Sequence, residues 1–351
     1  MLEAISTSDW HFNGLKNLFP NNHIDYQIHE IEKIFKYAVE NGILHVFVPG
    51  DISDTADMGI DAYTKLIMLL NKYKEYFTVY YIGGNHDFSD VSKTSLDFLE
   101  VLILEGFFGD KVKLFSTPTQ VKIDGIVVNM LPHPAEASIP NKKPCLNFAH
   151  VEYNGAIGDN GRKMKTKHEL KVDPRDWTVS GHIHKYQNLK SKRATYNGNP
   201  FQKNFGECLE KGFIHFKAKY KNGKLIFKHE FIDNQPEFRL ETHIIEKQAD
   251  FSKLRKSDTT LYRLYVDPSV TIPDTLRIDY PNIRQLKDSQ GKKLSELESA
   301  DSFKQELIQM PKISPMKGLK LQMRADGFKS KDFKRAKAIL EQEASNLGIA
   351  I

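Results

Sequence analysis

Five short polar stretches carry side chains that bind metal ions, and each comes directly after a segment whose residues favour a β-strand. In order along the chain they are Asp9-x-His11, Gly50-Asp51-x-x-Asp54, Gly84-Asn85-His86-Asp87, His150 and Gly181-His182-x-His184. Carboxylate, imidazole and amide ligands without thiolate favour manganese, iron or zinc over magnesium alone. Because loops at strand ends often carry active sites, the five stretches together predict one metal centre.

Each stretch taken alone has a simpler interpretation. Glycine and asparagine are common turn formers, so the segment 83–87 would also suit a polar turn. His150 would also suit an ordinary core or loop histidine, and Asp9-x-His11 is a common surface pattern. The order of the five stretches and their shared position after strands favour the metal centre over these separate explanations.

The first hundred or so residues alternate between apolar runs and amphipathic segments. Strands are predicted over residues 2–7, 44–48 and 77–82, and helices over 21–41, 61–74 and 96–104. This alternation indicates a βαβ arrangement with a largely parallel sheet.

Strands dominate the next part of the chain. They are predicted over residues 112–115, 121–123, 126–131, 146–149, 178–180, 213–219 and 225–232. The pairs Asp124-Gly125 and Asn222-Gly223 are turn sequences typical of two-residue β-hairpins. A second sheet is therefore expected to pack against the first, giving an α/β sandwich with its loops at one end.

The character of the chain changes again near residue 235. Strands over 261–266 and 283–286 predict a small α+β accessory domain over 236–300, after a first domain over 1–235. Residues 301–351 have a helical pattern that is interrupted around 311–318. A length of 351 residues is consistent with more than one domain.

Composition narrows the class of protein. An apolar share of 40% with 27% charged residues is typical of soluble globular proteins, and no apolar run approaches the roughly 20 residues that span a bilayer. Cys145 and Cys208 are the only cysteines, which argues against a disulfide framework and favours a reducing cytoplasm. The first residues lack the features of a secretory signal. A net charge of +5 permits nucleic-acid contact without requiring it.

The five stretches resemble the motifs of the calcineurin-like metallophosphoesterases: D-x-H, G-D-x-x-D, G-N-H-D/E, a single H and G-H-x-H. The resemblance implies a sandwich of two mixed β-sheets flanked by helices, and two divalent metal ions, with Mn²⁺ expected. It assigns one ion to Asp9, His11, Asp51 and His184, and the other to Asp51, Asn85, His150 and His182. It also implies that His86 acts on the transition state or the leaving oxygen, and that Asp87 holds His86 in place.

Two details separate the chain from the protein phosphatases of this superfamily. Those enzymes extend the second motif to G-D-x-V-D-R-G and end the third motif in glutamate. Here Thr55 follows Asp54, and Asp87 ends the third motif. The resemblance therefore lies with another branch.

A looser similarity follows the last histidine pair. The segments Tyr196-x-Gly198-x-Pro200, Phe205-Gly206-Glu207 and Gly212-Phe213 are similar to a stretch of the SbcD-type DNA nucleases of double-strand-break repair. That group includes phage recombination nuclease subunits, and the similarity implies a dimetal DNA nuclease. Some members carry a histidine where this chain has Asp54, which leaves the balance of exonuclease and endonuclease activity open. Hydrolysis of small phosphoesters and a non-catalytic assembly role are the rival hypotheses.

The same similarity implies partners. It implies DNA as substrate, a homodimer, and an SbcC-type, SMC-like ATPase that docks on the helical region 301–351, with 328–347 as the candidate contact. The accessory domain would be a DNA-capping domain. Residues expected to contact DNA are Arg162, Lys163, Lys165, Lys167, Lys185, Lys190, Lys192 and Arg193. A solvated helix and solvated loops would explain the same charges. The expected location is the cytoplasm, or the host cytoplasm if a phage encodes the protein.

Overall fold

The computed structural model describes residues 1–19, 22–88, 94–159 and 161–291, together with positions 294, 334, 337 and 338. The predicted docking region over 301–351 therefore lies outside the described residues, apart from three positions. Within the ranges given, no helix is both long enough and apolar enough to cross a membrane.

The first part of the chain alternates between strands and helices, as predicted. Its elements are β1 (Leu2–Ser6), α1 (His23–Glu40), β2 (His45–Pro49), α2 (Ile60–Tyr73), β3 (Thr78–Ile82), α3 (Asp97–Leu104) and β4 (Val112–Phe115). Neighbouring strands from β1 to β4 pair in parallel, which requires a long connection between them. The helix α1 supplies one such connection, and its side chains Ile31, Ile34 and Phe35 are completely buried.

Strands dominate the next part, also as predicted. They are β5 (Thr119–Ile123), β6 (Ile126–Leu131), β7 (Leu146–His150), β8 (Trp177–Gly181), β9 (Gln187–Leu189), β10 (Ala194–Tyr196), β11 (Gly212–Lys221) and β12 (Lys224–Asp233). Both predicted hairpins are present. Asp124 and Gly125 have φ of 47° and 82°, and Asn222 and Gly223 have φ of 51° and 73°. Two successive left-handed residues are what a type I′ hairpin turn requires.

These strands form two six-stranded sheets. The orders are β12-β11-β1-β2-β3-β4 and β5-β6-β7-β8-β10-β9. Both sheets are mixed, since β11 is antiparallel to β1 and β5 is antiparallel to β6. The predicted α/β sandwich is therefore confirmed. The sheets pack through Phe47 of β2 and Phe148 of β7, whose stacked rings have centroids 4.0 Å apart. This contact places the carboxyl ends of β2 and β7 side by side.

A third, parallel sheet follows the sandwich. It contains β13 (Arg239–Ile245), β14 (Thr260–Val266) and β15 (Ile283–Asp288), with the short helix α4 (Leu276–Asp279) before β15. Leu264 and Leu286 belong to a core of its own, whereas Leu240 and Leu261 belong to the core between α1, α2 and the first sheet. The division at residue 235 into two domains remains a prediction.

Candidate metal centre

Four of the seven residues predicted to bind metal have a left-handed backbone. The angle φ is 57° at Asp9, 44° at His11, 52° at Asp51 and 85° at His182. Residues other than glycine rarely adopt this conformation, which costs on the order of 1–3 kcal/mol each and occurs most often at functional sites. Here it turns the chain sharply after β1, β2 and β8, so that side chains from three strand ends meet.

Glycines allow the loops to approach one another closely. A Cβ atom at Gly50 would collide with the ring of His150, and one at Gly84 would collide with the carboxylate of Asp51. The loops are also joined by their backbones, because the amide of Asp9 donates to the carbonyl of Gly50 over 3.1 Å. The glycines of the second and third motifs are therefore required for space beside the site.

One group of predicted ligands, here called the His150 half, consists of Asp51, Asn85, His150 and His182. Nδ1 of His150 donates to the carbonyl of Pro49 over 2.9 Å. Nε2 of the same ring lies 3.0 Å from Oδ1 of Asn85 and 3.3 Å from Oδ2 of Asp51. Nδ1 of His182 lies 2.9 Å from the same Asn85 oxygen. Four side chains thus direct ligand atoms into one small volume.

The second group, here called the His184 half, consists of Asp9, His11, Asp51 and His184. Ligand atoms of Asp9, His11 and His184 all lie within 4.8 Å of one another. Nε2 of His11 lies 3.0 Å from Nε2 of His184 and 3.6 Å from Oδ2 of Asp51. Because the same Asp51 oxygen borders both groups, Asp51 is placed to belong to both.

The chemistry of these atoms fits divalent cations. Nδ1 of His184 faces the carboxylates of Asp159 at 2.9 Å and Glu207 at 3.1 Å, and Nδ1 of His11 faces Asp54 at 3.4 Å. The Nε2 atoms of His11 and His184 lie 3.0 Å apart, on the sides of the two rings that face away from these carboxylates. Two imidazole nitrogens this close, with carboxylates beside them, form a donor set that suits a metal ion.

Burial and nearby carboxylates shift the histidine pKa values in opposite directions. Burial lowers the pKa of His11 to about 4. Burial also disfavours the charged form of His150 and His184, but Asp51 raises the pKa of His150 to about 9, and Glu207 with Asp159 raises that of His184 to about 10. The negative field that favours a proton on these rings also favours a metal cation beside them.

The structure corrects the role predicted for Asp87. Its carboxylate does not contact the ring of His86, because it accepts backbone amides of Ser53 at 2.9 Å and Gly84 at 2.8 Å, and the hydroxyl of Ser95 at 3.1 Å. Asp87 therefore holds the second and third motif loops together. Burial, with the nearby charge of Asp51, raises the pKa of Asp87 to about 6.

His86 is held by a different group. Nδ1 of His86 donates to the backbone carbonyl of Asp54 over 2.8 Å, and the amide of His86 donates to Oδ1 of Asp51 over 2.9 Å. The centroids of the His86 and His11 rings are 4.8 Å apart. His86 therefore borders the His184 half. Its ring is held through Nδ1, so Nε2 takes no part in the hydrogen bond to Asp54.

Several supporting residues were not assigned a role from the sequence. Glu207 accepts from His184 and pairs with Lys211, whose Nζ lies 2.6 Å away, and both side chains are completely buried. Although burial opposes it, Lys211 and His184 lower the pKa of Glu207. Glu152 lies 3.1 Å from Nε2 of His182. Only Glu207 had a signal in the sequence, in the similarity of Phe205-Gly206-Glu207 to a stretch of the SbcD-type nucleases.

The positively charged side chain of Lys203 also lies beside the His184 half. Nζ of Lys203 contacts the carboxylate of Asp54 and lies 3.3 Å from Nδ1 of His11. The side chain of Lys203 is 19% exposed, so solvent can reach this edge of the site. Lys203 comes from the same loop as Glu207, between β10 and β11.

The residues predicted to contact DNA are not all near the metal centre. Arg193 precedes β10, which runs parallel to β8, so it lies at the strand ends opposite to His182. Its guanidinium donates to the carbonyls of Asp176 at 2.7 Å and Arg175 at 3.2 Å, and it packs on Trp177. Arg193 is thus a structural residue there, which corrects its prediction as a DNA contact.

Other predicted DNA contacts lie differently. Lys192 pairs with Glu169 at 2.7 Å in the segment before β10, which also contains the exposed Lys190. Lys185 directly follows His184 and is partly exposed. The remaining four are exposed on the loop between β7 and β8, which also carries Asp159. They are Arg162, Lys163, Lys165 and Lys167.

Comparison with known proteins agrees with this geometry. The family model described as calcineurin-like phosphoesterase matches residues 5–186, slightly more than half of the chain. The match contains all seven residues predicted to bind metal. A search of curated proteins finds no match. Members of this family use dimetal centres to hydrolyse phosphoesters, and the clustered carboxylates and imidazoles described above suit that chemistry. The chain belongs to the family of calcineurin-like phosphoesterases.

Proposed function

We propose that the protein is a dimetal-dependent DNA nuclease that hydrolyses phosphodiester bonds in recombination and double-strand-break repair. The observation that carries this proposal is the loop between β7 and β8. Its Asp159 contacts His184 at 2.9 Å, and the exposed Arg162, Lys163 and Lys165 follow within six residues. Positively charged side chains beside the centre of a phosphoester hydrolase favour a polyanionic substrate such as DNA.

The basic residues of this loop follow Asp159 on the returning arm of a short hairpin. The amide of Gly158 donates to the carbonyl of Arg162 over 2.9 Å, and the amide of Met164 donates to Ala156 over 2.7 Å. The chain therefore turns back on itself just after Asp159. A second surface lies nearby, because Arg263 of the third sheet donates to the carbonyl of Phe205, two residues before Glu207. Together these features would extend the contact with a long substrate.

In this proposal the His184 half and the His150 half each hold one divalent ion, with Asp51 shared and Mn²⁺ as the expected metal. When bound, the two ions neutralise charge on the scissile phosphate and lower the pKa of an attacking water. Asp54, Glu152 and Glu207 fix the orientation of the histidine rings. The low exposure of Asp9, His11, Asp51 and His150 keeps these groups out of bulk water.

The remaining chemical role falls to His86. In hydrolysis, the oxygen of water bonds to phosphorus, the bond from phosphorus to the leaving oxygen breaks, and that oxygen takes up a proton. Nδ1 of His86 is fixed on the carbonyl of Asp54, which leaves Nε2 to give this proton. His86 thus has the position of a general acid beside the centre.

The decisive test supplies purified protein with Mn²⁺ and a linear DNA duplex. We expect nucleotides or short fragments as products, and no cleavage after chelation of the metal. If the protein does not cleave DNA but hydrolyses bis-p-nitrophenyl phosphate, DNA is not its substrate and a small phosphoester is favoured. Comparison of linear and circular single-stranded DNA separates exonuclease from endonuclease activity.

Substitution of His86 by glutamine tests the general acid. We expect cleavage of DNA to fall by about a hundredfold, because a deoxyribose leaving oxygen needs a proton. Hydrolysis of a p-nitrophenyl ester should fall much less, since p-nitrophenolate leaves without one. Manganese stoichiometry should stay at the wild-type value, and the exposed His29→Gln variant serves as control. Equal loss on both substrates would show that His86 has another role.

The proposed partners are a second copy of the chain and an SbcC-type, SMC-like ATPase. The support is the similarity of the sequence to SbcD-type nucleases, and the docking region 301–351 lies outside the described residues. Affinity purification from the native host, followed by mass spectrometry, tests the proposal. Recovery of no such ATPase with the full chain would count against it.

A further inference from the structure

A cavity of about 250 Å³ lies beside the metal centre, on the side of the His150 half. His150 and His182 form part of its wall, so its contents would adjoin a phosphate bound at the centre. Neither His86 nor His11 is among its lining residues. The cavity therefore lies away from the group proposed to protonate the leaving oxygen.

The wall of the cavity is fixed by backbone hydrogen bonds. The amide of His133 donates to the carbonyl of Gly83 over 2.9 Å, which ties one wall to the third motif loop. The amide of Lys171 donates to the carbonyl of Glu136 over 2.9 Å. The amide of Thr166 donates to the side chain of Asn154 over 2.8 Å. These contacts tie the segments 133–136 and 166–171 to each other and to the loops around them, so the wall of the cavity has a fixed shape.

The charges of the cavity exclude a second phosphate. Glu136 and Glu152 line it, and no lysine or arginine does so among the described residues. Two carboxylates in one wall repel an anion and attract an uncharged group that can donate hydrogen bonds.

We propose that this cavity binds the nucleoside on the retained side of the scissile phosphate. The idea rests on the proposed nuclease function and adds a specificity site to it. In-line displacement places the attacking water opposite the leaving oxygen, so the retained substituent lies in the equatorial plane of the phosphate, to the side of the line that runs to His86. The cavity, which His150 and His182 line and His86 does not, lies beside the centre in such a position. Ala135 and Val151 offer apolar contact to a base. Thr166 and His168 add hydrogen-bonding groups.

The size and charge of the cavity give the proposal two specific consequences. A volume of about 250 Å³ accommodates one nucleoside and not a base pair, so the bound base is unpaired. The carboxylate of Glu136 can accept a hydrogen bond from the exocyclic amino group of cytosine or adenine, and thymine has no such group. The cavity therefore favours a frayed strand end or a single strand, and favours cytosine over thymine.

The experiment compares esters with one leaving group. Wild-type protein with Mn²⁺ is given methyl p-nitrophenyl phosphate, and nucleoside p-nitrophenyl phosphates attached through the 5′ or the 3′ oxygen. Release of p-nitrophenolate gives kcat/KM for each. We expect the better nucleoside ester to exceed the methyl ester by about tenfold or more, since even one added methylene in an apolar pocket contributes about 10–200-fold.

Filling the cavity should remove this preference. In Ala135→Phe, we expect kcat/KM for the nucleoside ester to fall about tenfold, while the methyl ester and the affinity for Mn²⁺ are unchanged. Ala137→Phe is the matched control, because Ala137 is exposed and does not line the cavity. Should Ala135→Phe fail to fold, Glu136→Ala provides the second test, with loss of the preference for cytidine over thymidine esters.

Three results would overturn the cavity proposal: no nucleoside preference in the wild type, a preference that survives Ala135→Phe, or an equal loss in Ala137→Phe. With Glu136→Ala, an unchanged preference for cytidine does the same. These failures are distinct from failure of the nuclease function. DNA cleavage without a nucleoside preference leaves the nuclease function intact, whereas turnover of the methyl ester without DNA cleavage refutes the nuclease function.

Discussion

The two halves of the metal centre are supported in different ways. In the His150 half, support comes from groups next to the ligands themselves. The carbonyl of Pro49, at the end of β2, accepts from His150 at 2.9 Å. Glu152, two residues after His150, lies 3.1 Å from His182 and is 34% exposed. All of these residues fall inside the range 5–186 that matches the family.

In the His184 half, support comes from distant loops. Glu207 and Lys203 belong to the loop before β11, and Asp159 belongs to the loop after β7. Glu207 is completely buried with Lys211, in contrast to the partly exposed Glu152. Glu207, Lys203 and Lys211 lie beyond the matched range.

The two halves therefore differ in how much of their support lies inside the range that matches the family. The His150 half depends on strand ends and on Glu152, all within that range. The His184 half depends in addition on Glu207 and Lys203, which follow it. We therefore expect substitutions to affect the two halves separately, except at the one residue common to both.

Asp51→Asn should have the largest effect, because Asp51 is the one predicted ligand shared by the two halves and its substitution should weaken both. Its Oδ2 lies 3.3 Å from His150 and 3.6 Å from His11, so an amide there weakens both halves at once. We expect loss of both manganese ions and a fall in phosphoester hydrolysis of at least about a hundredfold, equivalent to about 3 kcal/mol or more. Metal analysis after gel filtration measures the stoichiometry.

The exposed Asp110→Asn variant is the control for this substitution. It should retain both ions and wild-type hydrolysis. Retention of two manganese ions by Asp51→Asn would show that Asp51 is not shared between the halves.

Glu207→Gln should affect the His184 half only. The amide no longer orients His184 as strongly, and it leaves Lys211 buried without its carboxylate. We expect the affinity of one of two manganese sites to fall by about 10–100-fold. The free energy of unfolding should fall by about 3–5 kcal/mol. Calorimetric titration with Mn²⁺ and urea unfolding measure the two effects.

A second substitution separates these effects. Glu207→Gln combined with Lys211→Met removes the unpaired charge, so stability should recover while metal affinity stays low. Recovery of both quantities would mean that Glu207 acts on the metal centre only through folding. Weakening of both manganese sites in the single variant would contradict the division into halves.

The clustering of the seven predicted ligand residues could be foreseen from the sequence because each follows a strand within a short motif. His11 and His184 are 173 residues apart, yet each is fixed at a strand end, so the sandwich brings them within 3.0 Å. The two-residue turns at Asp124-Gly125 and Asn222-Gly223 were equally local and were confirmed.

The supporting contacts could not be predicted, because they depend on where loops cross in space. The sequence places Asp87 beside His86, but its carboxylate points to backbone amides of the second motif loop, 34 residues earlier at Ser53. Arg193 has the charge of a DNA contact, and only the parallel pairing of β8 and β10 shows that it lies at the far strand ends. Strand β13 was not predicted, because its sequence lacks a clear alternation of apolar and polar residues. It is defined by its parallel pairing with β14 in the third sheet.

Glu152→Gln tests the His150 half and should have a smaller effect than Glu207→Gln. Glu152 is 34% exposed, so water can replace part of its interaction with His182. We expect a fall of about tenfold or less in the affinity of one manganese site, at the low end for such ring-orienting groups. The urea midpoint should not change. An effect on metal affinity as large as that of Glu207→Gln would show that burial does not decide the strength of support.

Lys203→Met should have the smallest effect, and its sign distinguishes two roles. As a positive charge 3.3 Å from His11, Lys203 opposes a cation in the His184 half. If this repulsion dominates, the variant binds manganese there more tightly, by about fivefold or less, because a partly exposed charge contributes about 1 kcal/mol or less. If Lys203 mainly fixes Asp54, affinity falls instead. We expect the increase, together with a higher KM for DNA, because the same charge attracts phosphate. Both changes should shrink in about 1 M salt, where exposed charges are screened, and Lys203→Arg should preserve wild-type values at either ionic strength.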